Sequence, residues 1–219
     1  MNKSGDIMSN GKSISMSVIK RLPRYYRFLG LLKEKNIQRI SSLELSRQMG
    51  LTASQIRQDL NCFGGFGQQG YGYNVSMLYD EIGIILGVDK EKKTVMIGAG
   101  NLGQAISRHM SFEKRGFKLV GIFDEDKSLV GNEIRNLKVR SADELERFCD
   151  KYAPTVAVLC IPTTAESEEL IERLIAKGIK AFWNFTHIDI KAKHPEVVVE
   201  NVHLSDSLMT LCYQINAMR

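Results

Sequence analysis

Hydrophobic positions along the chain change their spacing near residue 90. Before that point, the segment "SVIKRLPRYYRFLGLLKEKN", residues 17–36, repeats apolar side chains at helical intervals, and Pro23 suits the first turn of the helix, where a missing N–H costs nothing. After that point, short apolar runs alternate with helical segments, which is typical of buried parallel strands connected by helices. The pattern therefore predicts a helical domain followed by an α/β domain.

Two short helices after the first one predict a helix-turn-helix. Ser41 and Glu44 fit a capping box, Gly50 supplies a left-handed stop, and Thr52 and Gln55 repeat the box. A helical hairpin that only packs is the alternative interpretation.

The second helix of the pair separates its faces. Ile56, Leu60 and Phe63 form a stripe that we expect to face the core. The side chains left outward are short or forked and polar, the chemistry that reads base edges in a major groove. These predicted DNA-reading residues are Ser54, Gln55, Arg57 and Gln58.

The glycine-rich segment "FGGFGQQGYGYNV", residues 63–75, predicts a tight hairpin directly after this helix. A hairpin in that position is the wing of a winged helix, and we expect it to lie along a DNA backbone. The predicted wing contacts are Gln68, Gln69 and Tyr71, and the predicted phosphate contacts are Lys20, Arg21, Arg24 and Arg57.

Charge divides unevenly along the chain. Residues 1–90 carry 12 Lys and Arg against 7 Asp and Glu, whereas residues 91–219 carry 18 of each, so the net charge of +5 belongs to the first part. This asymmetry indicates an acidic partner for the first domain, with a solvated basic face as the alternative.

The segment "TVMIGAGNLGQAI", residues 94–106, has the pattern of a strand, a glycine turn and a helix. In this context Gly98 permits the turn, Gly100 lets backbone N–H groups approach a pyrophosphate, and Gly103 permits close packing of helix on strand. The residues of the turn are predicted to bind the cofactor: Ile97, Gly98, Ala99, Gly100, Asn101, Leu102 and Gly103. Asp124 closes the next strand, 21 residues beyond Gly103, where a carboxylate accepts from a ribose 2′-hydroxyl, which favours NAD over NADP.

The remaining segments continue a doubly wound, Rossmann-like parallel sheet. We expect helices over 77–87, 141–152 and 165–177 and strands over 155–162, 180–185 and 197–201, with a short charged linker over 88–93. Ligands of such sheets lie at the carboxyl ends of the strands. The predicted lining residues there are Pro162, Thr163, Thr164, Asn184, Phe185 and Thr186.

A last helix over about 205–218 carries an apolar stripe along one face, formed by Leu204, Leu208, Leu211, Cys212, Ile215 and Met218. Packing on its own sheet is the default expectation, and packing on a second copy of the chain is the alternative. The predicted domains are a mobile N-terminus over 1–16, a winged helix over 17–88, a nucleotide-binding domain over 89–203 and a dimerisation helix over 204–219.

The composition of the chain indicates the class of protein and its cellular compartment. Apolar residues make up 43% of the chain and charged residues 25%, ordinary values for a soluble globular protein. The four cysteines form no C-x-x-C pair, which favours free thiols in a reducing compartment over a thiol sensor. Because the apolar runs are short, we expect no membrane span and a cytoplasmic protein.

From about residue 18 onward, the chain resembles the Rex redox-sensing transcriptional repressors. The segments that carry the resemblance are "KRLPRYYRFL", "SSLELS", "IRQDLNCFGGFGQQGYGYNV", "IGAGNLG", "GIFDED", "GIKAFWNFT" and "NVHLSDSL". The resemblance implies a homodimer with winged helices, an NAD(H)-binding Rossmann domain and a C-terminal helix swapped between subunits. It further implies binding to a palindromic operator and release of DNA when NADH binds.

Two positions depart from the pattern of that family. Its members usually carry a Tyr six residues after the last motif glycine, where this chain has His109. They also usually carry an Asp ahead of the apolar residue that the swapped helix offers to the nicotinamide, where this chain has His203 before Leu204. Where protonated, these imidazoles would disfavour the cationic, oxidised nicotinamide and add pH dependence; two surface histidines without a role are the alternative.

Two other functions remain open from the residues alone. One is an NAD-dependent dehydrogenase, against which stand the lack of a Tyr followed four residues later by Lys, the lack of a metal-ligand cluster and the short chain left for a substrate domain. The other is a DNA-binding protein whose Rossmann domain only dimerises, or senses another adenine nucleotide or coenzyme A. We predict no catalytic residues and no bound metal.

Overall fold

The computed structural model describes residues 7–9, 12–64, 67–68 and 71–218, and the side chains of 14–64 and 71–218. The chain divides after Asp89 into two compact units, called here the first unit and the second unit. Each has its own hydrophobic core.

The first unit combines helices with a small antiparallel sheet. Its strands are β1 (Ile7–Ser9), β2 (Lys12–Ile14), β3 (Arg39–Ile40), β4 (Gly67–Gln68) and β5 (Gly72–Asn74). Its helices are α1 (Met16–Ile19), α2 (Leu22–Glu34), α3 (Ser42–Met49), α4 (Ala53–Asn61) and α5 (Val75–Leu86). Since the hairpin β4–β5 directly follows the pair α3–α4 and pairs with β3, the unit is a winged helix.

The start of the chain contains two short strands. Of residues 1–16, which we expect to be mobile, residues 1–6, 10 and 11 lie outside the described part, and β1 and β2 pair as an antiparallel hairpin in which Ile7 lies opposite Ile14. The side chain of Ile14 is buried. Because the segment is mostly polar, its sequence did not predict these two strands.

Local signals in the first unit fold largely as their chemistry dictates. The capping box of Ser41 and Glu44 is formed in both directions, and Gly50 ends α3 in the left-handed region, at φ 58°. Thr52 caps α4, but its box is incomplete, because the Gln55 side chain donates to Asp59 instead of reaching back. Phe63 lies beyond the end of α4 and is only half-buried.

Helices α2 and α5 approach each other closely through a reciprocal pair of tyrosines and glycines. The rings of Tyr26 and Tyr79 stack with centroids 4.2 Å apart. The Tyr79 ring lies against Gly30 of α2, and the Tyr26 ring lies against Gly83 of α5. A side chain at either glycine would press on the facing ring.

The second unit is built on a seven-stranded sheet. Its strands are β6 (Lys92–Ile97), β7 (Phe117–Asp124), β8 (Glu133–Ile134), β9 (Leu137–Ser141), β10 (Val156–Leu159), β11 (Ala181–Asn184) and β12 (Val198–Asn201). Its helices are α6 (Asn101–His109), α7 (Leu145–Tyr152), α8 (Ala165–Ala176), α9 (Ile190–Lys193) and α10 (Leu204–Ala217).

The sheet order is β12-β11-β10-β6-β7-β9-β8, and every pair except β8–β9 is parallel. In the sheet, β7, which follows β6 along the chain, lies on one side of β6, and β10, which comes later, lies on its other side. This reversal is the switch point at which ligands of doubly wound sheets bind. It lies at the carboxyl end of β6, where Ile97 pairs with both Phe123 and Leu159.

The hairpin β8–β9 is an addition that the sequence pattern did not predict. It reverses through Arg135 and Asn136, both in the left-handed region, at φ 50° and 63°. A two-residue hairpin with both φ angles positive usually announces itself by Asn-Gly or Asp-Gly. Because Arg135 and Asn136 form this turn, the sequence contains no turn signal ahead of β9, the strand that pairs with β7.

Candidate functional sites

The glycine turn lies between β6 and α6. Gly98 has a φ of 97°, and a Cβ there would overlap the carbonyl of Cys160. A Cβ on Gly103 would overlap the carbonyl of Gly98, so both positions exclude larger residues. Gly100 forms the N-cap of α6 and faces open space, which leaves the backbone at the helix N-terminus accessible to an anion.

Asp124 ties the end of β7 to this turn. Its Oδ2 accepts a hydrogen bond from the Ala99 N–H at 2.6 Å, and its Oδ1 accepts one from the Asp126 N–H at 2.8 Å. A carboxylate oxygen has a second acceptor position, so both oxygens can still accept from a ligand hydroxyl. The carboxylate is therefore fixed beside the turn before any ligand arrives.

A cavity of about 670 Å³ opens at the switch point, between the segments that follow β6, β7 and β10. Eight of the residues predicted to bind or line the cofactor are among its lining: Ile97, Gly98, Gly100, Asn101, Leu102, Asp124, Pro162 and Thr164. Ala99 and Gly103 are buried behind the turn. This cavity is called the nucleotide pocket below.

Sequence reasoning missed about half of the pocket lining. The further residues there are Glu125, Asp126, Leu129, Ala142, Cys160, Ile161, Glu166, Ser167 and Leu170. Cys160 and Ile161 directly follow β10, so the position of the strand end was the signal that could have found them. Burial raises the pKa of Cys160 to about 12, which keeps this thiol neutral.

The rim of the pocket is acidic. Asp124, Glu125, Asp126 and Glu166 contribute four carboxylates. Hydrogen bonds from Ser128 lower the pKa of Asp126, and hydrogen bonds from the backbone and Thr164 lower the pKa of Glu166. Both therefore stay charged at neutral pH, and a phosphate on the ribose of a ligand would meet repulsion.

Asn184 and Thr186 are placed differently from the prediction. Asn184 is fully buried, donates to the carbonyl of Ile188 and to Asn201, and accepts from the backbone and hydroxyl of Thr186. Their side chains hold the loop after β11 together, because buried polar groups must pair internally. They do not line the nucleotide pocket.

Three further predicted residues lie near the same sheet edge without lining the pocket. The Thr163 hydroxyl accepts from the His187 N–H at 3.0 Å. The half-buried Phe185 packs its ring against Trp183, with centroids 4.8 Å apart. His203 stands beside His187, 5.2 Å between ring centroids, and its Nε2 lies 3.3 Å from the carbonyl oxygen of Thr186.

His109 and Leu204 are both exposed. His109 is the last residue of α6, about 12 Å along the helix axis from the glycine turn. Leu204 is the first residue of α10. Their predicted contact with a nicotinamide remains a prediction.

The predicted DNA-reading surface is mostly solvent-exposed. Ser54, Arg57 and Gln58 of α4 are exposed, as are Lys20 and Arg24 at the start of the unit. Arg57 donates to the hydroxyl of Ser42 at 3.1 Å. Tyr71 of the wing is 71% exposed; only the backbone of Gln68 is described, and Gln69 lies outside the described residues.

The side chains of Arg21 and Gln55 form hydrogen bonds within the protein. Arg21 forms a bidentate ion pair with the buried carboxylate of Asp59, and Gln55 donates to the same carboxylate. Gln55, expected to face outward, instead turns its amide nitrogen to this carboxylate, and the predicted DNA contacts of both residues remain predictions. Sequence reasoning also missed Arg39, an exposed arginine beside the wing that donates to the carbonyl of Tyr71 at 3.3 Å.

Helix α10 is exposed on every side, from Leu204 to Met218. Leu208 is 67% exposed and Ile215 is 53% exposed, so the default expectation that the stripe packs on its own sheet is wrong. One face of the sheet is also open: an apolar groove of about 390 Å³ is lined by Phe112, Val158, Trp183 and Val198 among others. Within the described part of the chain, no helix combines the length and apolar character needed to cross a bilayer.

Comparison with known proteins gives consistent matches. Residues 13–61 match the family model described as "Putative DNA-binding protein N-terminus", and residues 89–188 match the model described as "CoA binding domain". A protein named redox-sensing transcriptional repressor Rex from Caldanaerobacter subterraneus is 54% identical over 95% of this chain and 92% of its own length. The protein of the same name from Clostridium perfringens is 51% identical over 95% of this chain and 98% of its own length.

The chain belongs to the Rex family of redox-sensing transcriptional repressors.

Solved Rex-family structures share the fold. A crystal structure of RSP in complex with β-NAD⁺ and operator DNA has a TM-score of 0.85, is 53% identical and covers 94% of each chain. One of RSP in complex with β-NADH has a TM-score of 0.84, is 50% identical and covers 94% of this chain and 95% of its own. These matches confirm the family resemblance and the architecture of a DNA-binding unit followed by a Rossmann-like unit.

Proposed function

We propose that this chain represses transcription as a homodimer whose two winged helices bind a palindromic operator, and that NADH in the nucleotide pocket releases the DNA. Two recognition helices fit successive major grooves when they stand about 34 Å apart. In the proposal, NADH binding changes this spacing. Ligand and DNA then oppose each other reciprocally, because each favours a different state of the dimer.

The shape of the nucleotide pocket carries this proposal. Gly98 and Gly103 tolerate no side chain, Gly100 opens the N-terminus of α6, and Asp124 is fixed beside them. The pyrophosphate of a dinucleotide would accept hydrogen bonds from the N–H groups at that end of the helix, and Asp124 would accept hydrogen bonds from the ribose hydroxyls. The solved relatives bound to β-NADH, and to β-NAD⁺ with operator DNA, support the same ligands here.

Dimerisation is supported by α10, whose apolar stripe is left uncovered by the residues of its own chain that the structure describes. We propose that this helix packs on the second subunit and that the protein works in the cytoplasm. We further propose that it catalyses no reaction, since the relatives it matches are named as repressors.

The test is a titration of an operator duplex. The duplex is selected by the wild-type protein from a random pool, and its affinity is then measured by fluorescence anisotropy with NADH, with NAD⁺ and without coenzyme. We expect weaker DNA binding with NADH than with NAD⁺. Equal affinity under all three conditions would refute the coupling.

Coenzyme A is a second candidate ligand, because residues 89–188 match a family model named for it. Coenzyme A carries a phosphate on its ribose, which the acidic rim would repel. Calorimetric titration with NADH, NADPH and coenzyme A separates the candidates. We expect NADH to bind and the two ribose phosphates to weaken binding; preferential binding of coenzyme A would favour the second candidate.

A further inference from the structure

Asp59 carries its carboxylate on the core-facing side of α4, the helix predicted to read DNA. It lies on the same side of α4 as Ile56 and Leu60, and its side chain is only 1% exposed. Burying a charge is costly unless the charge is paired and hydrogen-bonded. The partners of this carboxylate therefore bear on why it is there.

Three side chains donate four hydrogen bonds to Asp59. Arg21 donates through Nε at 2.6 Å and Nη2 at 2.7 Å, Tyr25 through its hydroxyl at 3.0 Å, and Gln55 through Nε2 at 2.8 Å. Burial raises the pKa of Asp59, but these hydrogen bonds outweigh it and hold the pKa below its ordinary value. The carboxylate is thus ionised at neutral pH and fully partnered. These four residues are called the Asp59 cluster.

The cluster joins two elements that are distant in sequence. Arg21 is the N-cap residue of α2 and Tyr25 lies one turn further along it, whereas Asp59 belongs to the last turn of α4. A bidentate arginine–carboxylate pair fixes relative orientation as well as distance. The rotation of α4 about its own axis is therefore set by a polar contact in addition to its apolar stripe.

We propose that Asp59 and Arg21 are positioning residues, which orient the base-reading face of α4 and the amide of Gln55 for DNA, and that Arg21 is not a phosphate contact. The inference rests on the proposed function, since it assigns α4 to the major groove. It reassigns one of the basic residues that the sequence predicted to touch the DNA backbone.

The orientation of Gln55 follows from the charge of Asp59. An ionised carboxylate only accepts hydrogen bonds, so the amide nitrogen of Gln55 must face it, and the amide oxygen and one remaining N–H are left for DNA. A free glutamine can turn its amide to present donor and acceptor in either order, whereas Gln55 presents them in the one order that its bond to Asp59 fixes. Asp59 thereby restricts what Gln55 can recognise.

The exchange of Asp59 for asparagine tests this assignment. The new side chain would keep the shape, lose the charge and offer a donor as well as an acceptor, so Gln55 could turn. We expect Asp59→Asn to lower affinity for the selected duplex at least tenfold, to leave affinity for a scrambled duplex nearly unchanged, and to alter base preference when the selection is repeated. Arg21→Lys should have the same direction, because a lysine cannot form the bidentate pair.

Salt dependence separates positioning from phosphate contact. Loss of one phosphate contact lowers the slope of log affinity against log salt by about 1 and weakens binding to all sequences alike. We expect this behaviour from Arg24→Ala, the exposed arginine on the same helix, and an unchanged slope from Arg21→Gln, which removes the charge that a phosphate contact needs, and from Asp59→Asn. An Arg21→Gln variant with a reduced slope and unchanged sequence preference would overturn the inference.

Two further variants guard against loss of folding. Asp80→Asn makes the same chemical change at an exposed ion pair with Lys33 and should leave base preference unaltered. Tyr25→Phe removes one hydrogen bond from the cluster and is the milder substitute if Asp59→Asn does not fold. A wild type that selects no duplex would overturn the proposed function and this inference with it, whereas selection by the wild type with an unaltered preference in the folded cluster variant would overturn this inference alone.

Discussion

At the scale of single residues, the three glycines of the nucleotide pocket perform different physical tasks. Gly98 faces the backbone carbonyl of Cys160 and Gly103 faces that of Gly98, so both are required by the fold. Gly100 faces open space, so the protein alone does not require it. This division allows folding and ligand binding to be tested separately.

We predict that Gly100→Ala retains the stability of the wild type but weakens NADH binding by roughly tenfold or more, about 1.4 kcal/mol, because the added methyl occupies space that the pyrophosphate needs. Gly103→Ala should instead lower the free energy of unfolding by about 1–3 kcal/mol, because the methyl overlaps the Gly98 carbonyl. Calorimetric titration and thermal denaturation measure the two effects. Equal loss of stability in both variants would contradict the division.

His194 offers a prediction about pH. Its Nε2 lies 2.9 Å from Glu172 of α8, its Nδ1 lies 3.3 Å from Glu196, and these contacts raise its pKa. A group with a raised pKa in the folded state stabilises the fold at low pH and loses that contribution as pH rises through the folded pKa. We expect Glu172→Gln to lower the pKa of His194 in an NMR titration, and Glu169→Gln on the same helix to leave it nearly unchanged.

At the scale of elements, the caps determine where helices of the first unit begin. Ser41 accepts from the Glu44 N–H at 3.1 Å, and the Glu44 carboxylate accepts from the Ser41 N–H at 2.8 Å. Helix α3 has only eight residues, so its end groups are a large share of its hydrogen bonds. Its stability should depend on this box.

We predict that Ser41→Ala lowers the free energy of unfolding of the first unit by about 1 kcal/mol, the usual cost of a lost N-cap. The contacts with Ser41 lower the pKa of Glu44, so the variant should also raise that pKa toward its ordinary value. Chemical denaturation and NMR titration measure these changes. Ser54→Ala, an exposed serine of α4, serves as the control, and an equal loss of stability in that variant would contradict the role of the box.

The sequence predicted most elements of both units, since apolar periodicity and caps act locally. It missed β9 because the preceding turn uses Arg135 and Asn136, and it missed β1 and β2 because the segment is polar. The glycine turn and Asp124 were predictable because their spacing is set by one strand–helix–strand unit. Asn184 was not, because a polar residue at a strand end can face either a ligand or its own loop, and only the fold decides between them.

At the scale of the whole molecule, the exposed apolar surface is concentrated on α10. Leu204, Leu208, Leu211, Ile215 and Met218 follow one face of the helix, and each is at least half exposed. Contiguous apolar surface of this kind marks an interaction site, because leaving it in water forfeits the free energy of burial. The second copy proposed above would cover it.

We predict that Leu211→Glu, which places a charge in the middle of this stripe, converts the dimer to a monomer at micromolar concentration. Burying an unpaired carboxylate in an apolar interface costs several kcal/mol, enough to dissociate an interface of moderate affinity. Asn216→Glu adds the same charge about 140° away from Leu211 around the same helix and should remain dimeric. Sedimentation velocity distinguishes the two variants, and a wild type that sediments as a monomer would contradict the dimer. Because a palindromic operator is read by two recognition helices together, the monomeric Leu211→Glu variant should also lose most of its affinity for the selected duplex. The nucleotide pocket of this monomer should remain folded.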